Sequence, residues 1–283
     1  MKSKEWLEMS DSKNVPLIHT PHTIAEALGH LQSYPKANIL AGCTQSLPEG
    51  MVVISLHRIE ELKKVHLSEK YLDIGSGVTL EQALSLKNPR FTPIFDPALK
   101  EMGPLGLRNQ ATLGGNICRV AELGDLFPLL LATGSTLEFR TQRGSHWYPA
   151  SALMDRDGPR GSLELLTRIR IPMVDWSASV YEKVGKHTIP FDERLSLTAL
   201  MQFQGNGLSL IRVLFYLPPW GLLRTKTMET FLVGQELPLG EKEREKALQY
   251  LEYDVKESSL DISSYRRSRI RELVKGLLWQ LNP

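Results

Sequence analysis

Cysteine is almost missing from this chain: Cys43 and Cys118 are the two among 283 residues. Two thiols cannot build a disulfide framework, and they cannot by themselves ligate an iron–sulfur cluster, which needs four protein ligands. Long apolar runs are missing as well. None reaches the ~18 residues of a membrane span, and Met1-Lys2-Ser3-Lys4-Glu5-Trp6 lacks the apolar centre of a signal peptide, so the expected location is cytoplasmic. There is no surplus of one charge: the formal net charge of +2 is too small for a surface devoted to nucleic acid. No G-x-x-x-x-G-K-S/T run occurs, which argues against an ATPase of the P-loop kind. Gly75-Ser76-Gly77-Val78-Thr79-Leu80 lacks the third glycine of the dinucleotide fingerprint and reads as a connector. Internal repeats and low-complexity segments are absent too.

What remains is an ordinary globular balance, with 42% hydrophobic and 23% charged residues. A chain of this length buries a large core, as one large domain or two modest ones.

Local patterning predicts an α+β order. Val15 to Ile18 reads as a short strand after a loose polar start. Thr23-Ile24-Ala25-Glu26 is a capping box, in which hydroxyl and carboxylate satisfy reciprocal backbone donors; it opens a helix to about Leu31. Ala37 to Ala41 and Val52 to Ser55 are strands, and Arg58 to Lys64 makes a turn of helix. Lys64 to Leu67 pairs with Tyr71 to Ile74 as a hairpin, and Thr79-Leu80-Glu81-Gln82 caps another helix. Pro93 to Met102 and Asp125 to Leu131 are helical. Ser135 to Arg140, Ser145 to Tyr148 and Leu163 to Ile171 are strands, the last closed by Pro172. A composition change at Met173 to Ser177 marks a boundary. Beyond it, the extended segments Ser179 to Val184, Leu195 to Gln204 and Leu208 to Leu217 form a half-buried antiparallel sheet, judged from the alternation at Leu195 to Leu200. Helices follow at Thr225 to Val233, Gly240 to Tyr253 and Ser263 to Leu281. The basic run Arg266 to Arg271 reads as the solvated face of the last helix, with a docking surface for an acidic partner as the alternative.

Two glycine turns carry the chemistry. In Leu107-Arg108-Asn109-Gln110-Ala111-Thr112-Leu113-Gly114-Gly115-Asn116-Ile117 the paired glycines let backbone N–H groups approach a bulky anion, Thr112 adds a hydroxyl and Asn116 an amide. A plain Gly-Gly hairpin between two strands is the competing reading. The other turn is Gly42-Cys43-Thr44-Gln45-Ser46, which follows the compact strand Ile39-Leu40-Ala41. Asp125 either caps the helix behind it or accepts a ligand hydroxyl.

These residues resemble the FAD-binding, medium subunit of the molybdenum hydroxylases, the xanthine dehydrogenase and carbon monoxide dehydrogenase flavoprotein family. Arg108 to Ile117 resembles that family's second cofactor loop almost position for position, and Asp125, with Leu126 and Pro128 behind it, falls where the family has its aspartate. Ile39 to Ser46 resembles the first loop. Glu164 to Pro172 is similar to the strand closing the flavin domain, Tyr181 to Gly185 to the segment opening the next domain, and Ser263 to Arg267 to the start of the final helix.

The resemblance implies a two-subdomain FAD-binding fold of the PCMH, vanillyl-alcohol-oxidase-like type over residues 1–173, split near 57–63. A smaller α+β domain with a three-stranded antiparallel sheet and helices follows over 174–283. It implies a non-covalently held FAD with its pyrophosphate against both loops. Main-chain amides from Leu40 to Ser46 and around Gly114 and Gly115 carry the anion, while Thr112 and Asp125 bind the phosphate and ribityl portion. Met102 and Leu166 lie against the cofactor, and Lys183 reaches it from the following domain. Without the resemblance, Met102 and Leu166 are core residues and Lys183 a solvated strand lysine. No catalytic side chain and no metal ligand is expected.

The implied activity is that of a flavoprotein oxidoreductase subunit. It passes electrons from iron–sulfur and molybdenum-cofactor partner subunits through FAD to NAD+ or another acceptor. The alternatives are a flavin-free structural or assembly subunit and a freestanding FAD oxidoreductase. The first loop departs from the family by carrying Cys43 where a glycine is usual, so the backbone there takes non-glycine dihedrals or the thiol points away. Cys43 is expected to be small and buried, with proximity to Cys118 as the minor alternative. A second departure, at Pro218-Pro219-Trp220-Gly221, replaces a glycine-rich turn.

Overall fold

The computed structural model describes residues 17–44, 52–118, 124–154, 163–185, 190–219 and 221–281. Val15, Pro16, Gln45, Ser46 and Trp220 lie outside them.

The chain begins with β1 (Leu17–His19), α1 (Ile24–Ser33), β2 (Asn38–Leu40) and β3 (Val52–Ser55), and the strands form a parallel sheet in the order β1-β3-β2. Thr23 caps α1 by accepting the Glu26 amide at 3.1 Å. The expected return bond is displaced by one residue, since the Glu26 carboxylate accepts from the His22 amide at 2.8 Å rather than from Thr23. Ile24, Ala27, Leu28 and Leu31 share one helical face and pack with Ile54, Leu56, Ile59 and Leu62.

A five-stranded antiparallel sheet follows. Its strands are β4 (Val65–Leu67), β5 (Tyr71–Gly75), β6 (Thr136–Thr141), β7 (Gly144–Pro149) and β8 (Leu165–Pro172), ordered β4-β5-β8-β6-β7. Between β5 and β6 run α2 (Leu80–Leu84), α3 (Thr92–Lys100), α4 (Leu105–Arg108), α5 (Leu113–Ile117) and α6 (Phe127–Thr133). The predicted box on α2 is complete: Thr79 Oγ1 accepts the Gln82 amide, and Gln82 Oε1 accepts the Thr79 amide. The helices bury Phe95, Leu99, Leu113, Ile117, Phe127 and Leu130 against Leu72, Ile74, Leu137, Phe139, Ile169 and Ile171 on one face of the sheet. The opposite face carries charge. Arg170 grips Asp73 with two hydrogen bonds of 2.7 and 2.8 Å, and Arg168 lies 3.5 Å from both Asp73 and Glu138.

The last sheet is antiparallel in the order β12-β11-β10-β9, made of β9 (Ala178–Val184), β10 (Leu195–Gln204), β11 (Gly207–Leu217) and β12 (Gly221–Arg224). It has four strands where three are predicted; β12 is too short and too plain in pattern to stand out from sequence. β10 is also buried on both faces rather than half-buried. Leu197, Ala199, Val213 and Phe215 face α7 (Lys226–Leu232), α8 (Glu241–Glu257) and α9 (Ser264–Gln280), whereas Leu200, Leu214 and Tyr216 join the core shared with the helices of the preceding sheet.

The basic run of α9 is not uniformly solvated. Arg266 is 7% exposed, and its guanidinium donates to the carbonyls of Arg194 and Pro218 at 2.9 and 2.8 Å. Burial holds its pKa below the usual arginine value, partly offset by Glu193. Among the described residues no helix is long and apolar enough to cross a membrane.

Candidate cofactor-binding site

The first turn leaves β2 at Leu40, whose carbonyl accepts the Leu56 amide at 2.7 Å. Past that bond, and among the described residues, the amides of Ala41, Gly42, Cys43 and Thr44 donate to no main-chain carbonyl. A short run of unclaimed N–H groups in a turn is what a backbone anion nest requires. Cys43 keeps a positive φ of 51°, so it occupies the left-handed region that a glycine would take freely. It is exposed, contrary to the small buried residue expected. The cysteine leaves the shape of the turn alone by accepting the backbone strain itself, on the order of 1–2 kcal/mol. Among the described residues the two cysteines are not joined to each other in a disulfide.

The second turn is not a hairpin. Thr112 is the N-cap of α5, its hydroxyl accepting the Gly115 amide at 3.0 Å. A five-residue helix has no stability of its own, so burial of Leu113 and Ile117 must hold it in place. The connector Gly75 to Val78 turns out to be the seat for this helix. Leu113 donates to the Val78 carbonyl at 2.9 Å, Gly114 to the Ser76 carbonyl at 2.8 Å, and Leu80 to the Ala111 carbonyl at 2.9 Å. A Cβ on Gly114 would stand 2.7 Å from Ser76 Cβ, closer than real Cβ contacts allow. The paired glycines therefore serve close backbone approach, and the amides of both are already bonded within the protein. Thr112 keeps its hydroxyl proton for a further acceptor.

The two turns, some seventy residues apart, touch directly. A Cβ on Gly42 would overlap the carbonyl oxygen of Gln110 and lie 3.0 Å from Ala111 Cα. With hydrogen at that position the backbones lie against each other, and the open amides of Ala41 to Thr44 border the segment leading into Thr112.

Beyond α5, Asn116 Oδ1 accepts the Leu126 amide at 3.2 Å, and Gly124 packs so closely on Asn116 that a Cβ there would overlap it. The helix α6 starts at Phe127, two residues later than expected, and Asp125 does not cap it. Instead Asp125 Oδ2 accepts from Lys183 Nζ at 2.8 Å, with the two side chains 24% and 19% exposed. Lys183 is thus an anchored lysine rather than a solvated one. Met102 and Leu166 are buried members of the core below the turns. Apolar side chains remain open around the turns: Ile39, Leu105 and Leu107 are each at least 40% exposed. Gln45 and Ser46 lie outside the described residues.

Sequence reading missed Ser76, Gln110 and the two exposed leucines. The leucines were legible as apolar residues at the edge of a polar loop, whereas the roles of Ser76 and Gln110 lie in their carbonyls and leave no side-chain signal. The arrangement offers main-chain donors, a hydroxyl, an open apolar rim and a neutralised ion pair. That chemistry suits an anionic amphipathic molecule such as a diphosphate joined to a flat ring, and the residues present fit FAD.

Comparison with known proteins agrees. A family profile described as the FAD binding domain in molybdopterin dehydrogenase matches residues 10–174. The human aldehyde oxidase is 31% identical over 173 residues, covering 54% of this chain and 13% of that protein. The xanthine dehydrogenase FAD-binding subunit of Escherichia coli O157:H7 is 31% identical over 140 residues, covering 46% and 48% of the two chains. These alignments span half or less of the length of the relatives. In fold, the chain is similar to a carbon monoxide dehydrogenase chain from Hydrogenophaga pseudoflava, with a TM-score of 0.76 at 19% identity, covering 94% of this chain and 98% of that one.

Proposed function

The chain belongs to the family of FAD binding domains in molybdopterin dehydrogenases, and we propose that it holds FAD as the electron-transferring part of a molybdenum hydroxylase assembly. The observation that carries this reading is the contact of Gly42 with Gln110 and Ala111, which sets beside the second loop the amides of Ala41 to Thr44, bonded to no main-chain carbonyl among the described residues. Preorganised N–H groups that need no internal partner to be displaced are an inexpensive way to hold a diphosphate.

In this reading Ile39, Leu40, Ala41, Gly42, Cys43 and Thr44, with Gln45 and Ser46, form the first wall. Thr112, Gly114, Gly115 and Asn116 form the second. Thr112 donates its hydroxyl to the anion, and Asp125 accepts a hydroxyl of the ligand chain. Met102 and Leu166 supply apolar support, and Lys183 closes the site from β9. Residues 1–173 act as the flavin-binding domain, in two subdomains meeting near 57–63, and residues 174–283 cover it. Bound FAD supplies redox chemistry, accepting electrons from one side and releasing a pair on the other. The chain's own residues bind, orient and shield it.

The partners in this reading are an iron–sulfur subunit and a molybdenum-cofactor subunit, with NAD+ or another acceptor taking the electrons. The two cysteines of this sequence support that division, because four cluster ligands must then come from outside it. The glycine-like φ of Cys43 favours the FAD-carrying reading over a flavin-free one, since the turn keeps the conformation an anion nest needs.

The test is purification from the native source, with a visible spectrum, release and mass identification of the flavin, and metal analysis of co-purifying chains. A yellow protein releasing FAD and travelling with iron and molybdenum is expected. A folded, colourless chain that ignores added FAD overturns the proposal.

A further inference from the structure

The charged face of the five-stranded sheet is the floor of a cavity of about 350 Å³, walled by Ile24 of α1 and by Glu61 and Lys64 ahead of β4. That volume is at the small end of what metabolite pockets hold. The cavity lies across the sheet from the core that contains Met102 and Leu166, and no residue assigned above to FAD is among those lining it.

Two carboxylates are buried in the floor, Asp73 and Glu138, and they are answered differently. Asp73 receives bonds of 2.7 and 2.8 Å from Arg170, whose guanidinium is further fixed 4.3 Å from the ring of Trp147 and 5.1 Å from that of Tyr71. Glu138 takes the Thr167 hydroxyl at 2.7 Å, but Arg140 and Arg168 stand off from it at 3.4 and 3.5 Å. An arginine that only neutralises a carboxylate closes on it to about 2.7–2.9 Å, as Arg170 does. Arg168 is no nearer to Asp73, at 3.5 Å, and Arg140 Nε has no partner at all. Both side chains are about one third exposed, so most of their N–H donors are unspent. Lys64 and His66 line the cavity from its β4 edge, and among the described residues their side chains make no ion pair or hydrogen bond. On this face the cations Lys64, Arg140, Arg168 and Arg170 outnumber the carboxylates Glu61, Asp73 and Glu138.

We propose that this cavity is a second anion site, separate from the cofactor cleft, which takes a small oxyanion on the donors of Arg140, Arg168 and Lys64. Glu138 then aims the two guanidiniums without consuming them. The shared chemistry is a negatively charged oxygen acceptor, carried either by a phosphoryl group or by a carboxylate, and planar guanidiniums can meet either one two bonds at a time. The site stands or falls independently of FAD.

The experiment is isothermal titration of the full chain with inorganic phosphate and with malonate, at an ionic strength held constant with chloride, together with melting temperatures in each salt. Saturable binding is expected, with a melting temperature raised by several degrees at saturation and left in place by chloride alone. Arg140→Gln should weaken that binding by about tenfold or more, and the double variant Lys64→Gln/His66→Gln by about threefold. The double variant removes exposed side chains that hold nothing else, so it decides the matter even if Arg140→Gln fails to fold. Gly42→Ala, which acts on the cofactor loops, should keep the binding that these variants weaken. Tighter phosphate identifies a phosphoryl ligand and tighter malonate a carboxylate one; either supports the site. Equal affinity in the natural chain and in the double variant overturns the proposal. So does binding that Gly42→Ala abolishes, which belongs to the cofactor loops, or an effect that chloride reproduces.

Discussion

Lys183, on β9, places its ammonium 2.8 Å from the carboxylate of Asp125, 58 residues earlier in the chain. The pair joins the last sheet to the segment that follows α5, and both side chains are largely out of water. Breaking one partner of such a pair strands the other charge, which costs more than the pair contributes as a whole.

Asp125→Asn is accordingly expected to lower stability by about 1–3 kcal/mol, whereas Asp125→Asn combined with Lys183→Met recovers part of that loss. Urea melts of the single and double variants give the coupling. Additive losses would show that the pair is not a unit. FAD titrations of the same set should show weaker binding for both variants, because each of the two groups is assigned to the site.

Gly42→Ala forces a methyl group into the Gln110 carbonyl and must part the two loops. Overpacking of this kind costs roughly 1–3 kcal/mol. The larger effect is expected on FAD retention, with loss of most of the flavin on desalting. A Gly42→Ala protein that keeps stoichiometric FAD and the natural melting temperature would refute the loop contact.

Cys43 sits at a positive φ and is exposed. Cys43→Gly removes the left-handed strain at some cost in chain entropy, for a net gain of about 0.5–1 kcal/mol, while Cys43→Val, with a branched Cβ, loses more than 1 kcal/mol. Thermal melts rank the three proteins. The exposed thiol should also react quickly with a disulfide reagent in the FAD-free chain and slowly in the FAD-bound one, and equal rates would place it away from the cofactor.

Acid stability should depend on Asp73. Burial alone would raise its pKa, but the two hydrogen bonds and the charge of Arg170, with Arg168 beside it, hold the carboxyl below its ordinary value. A folded pKa below the unfolded one means stability that is fully present above about pH 4 and lost as pH falls through the folded value. Asp73→Asn should therefore be less stable than the natural protein at neutral pH and show a flatter decline below about pH 4. Urea midpoints over that pH series decide it; parallel curves would assign the acid sensitivity to other carboxylates.

Much of this molecule could be read along the chain because its determinants are local. Thr79 and Gln82 cap α2, alternation marks β10, and the run from Arg108 to Ile117 marks the second loop, each through neighbours within a few residues. Where the outcome depended on what packs from elsewhere, only the tertiary structure decided it. The Gly-Gly pair starts a helix instead of a hairpin because Ser76 and Val78 offer carbonyls to it. Both faces of β10 are buried because elements from both sides of the chain close on it. Arg266 leaves the solvent to bind two carbonyls brought to it by distant turns. Asp125 meets Lys183, and Gly42 meets Gln110, only after folding. Residue types set which groups can bond and which conformations are open. Which partner each group finds is settled by long-range packing, which carries no periodicity a single sequence can display.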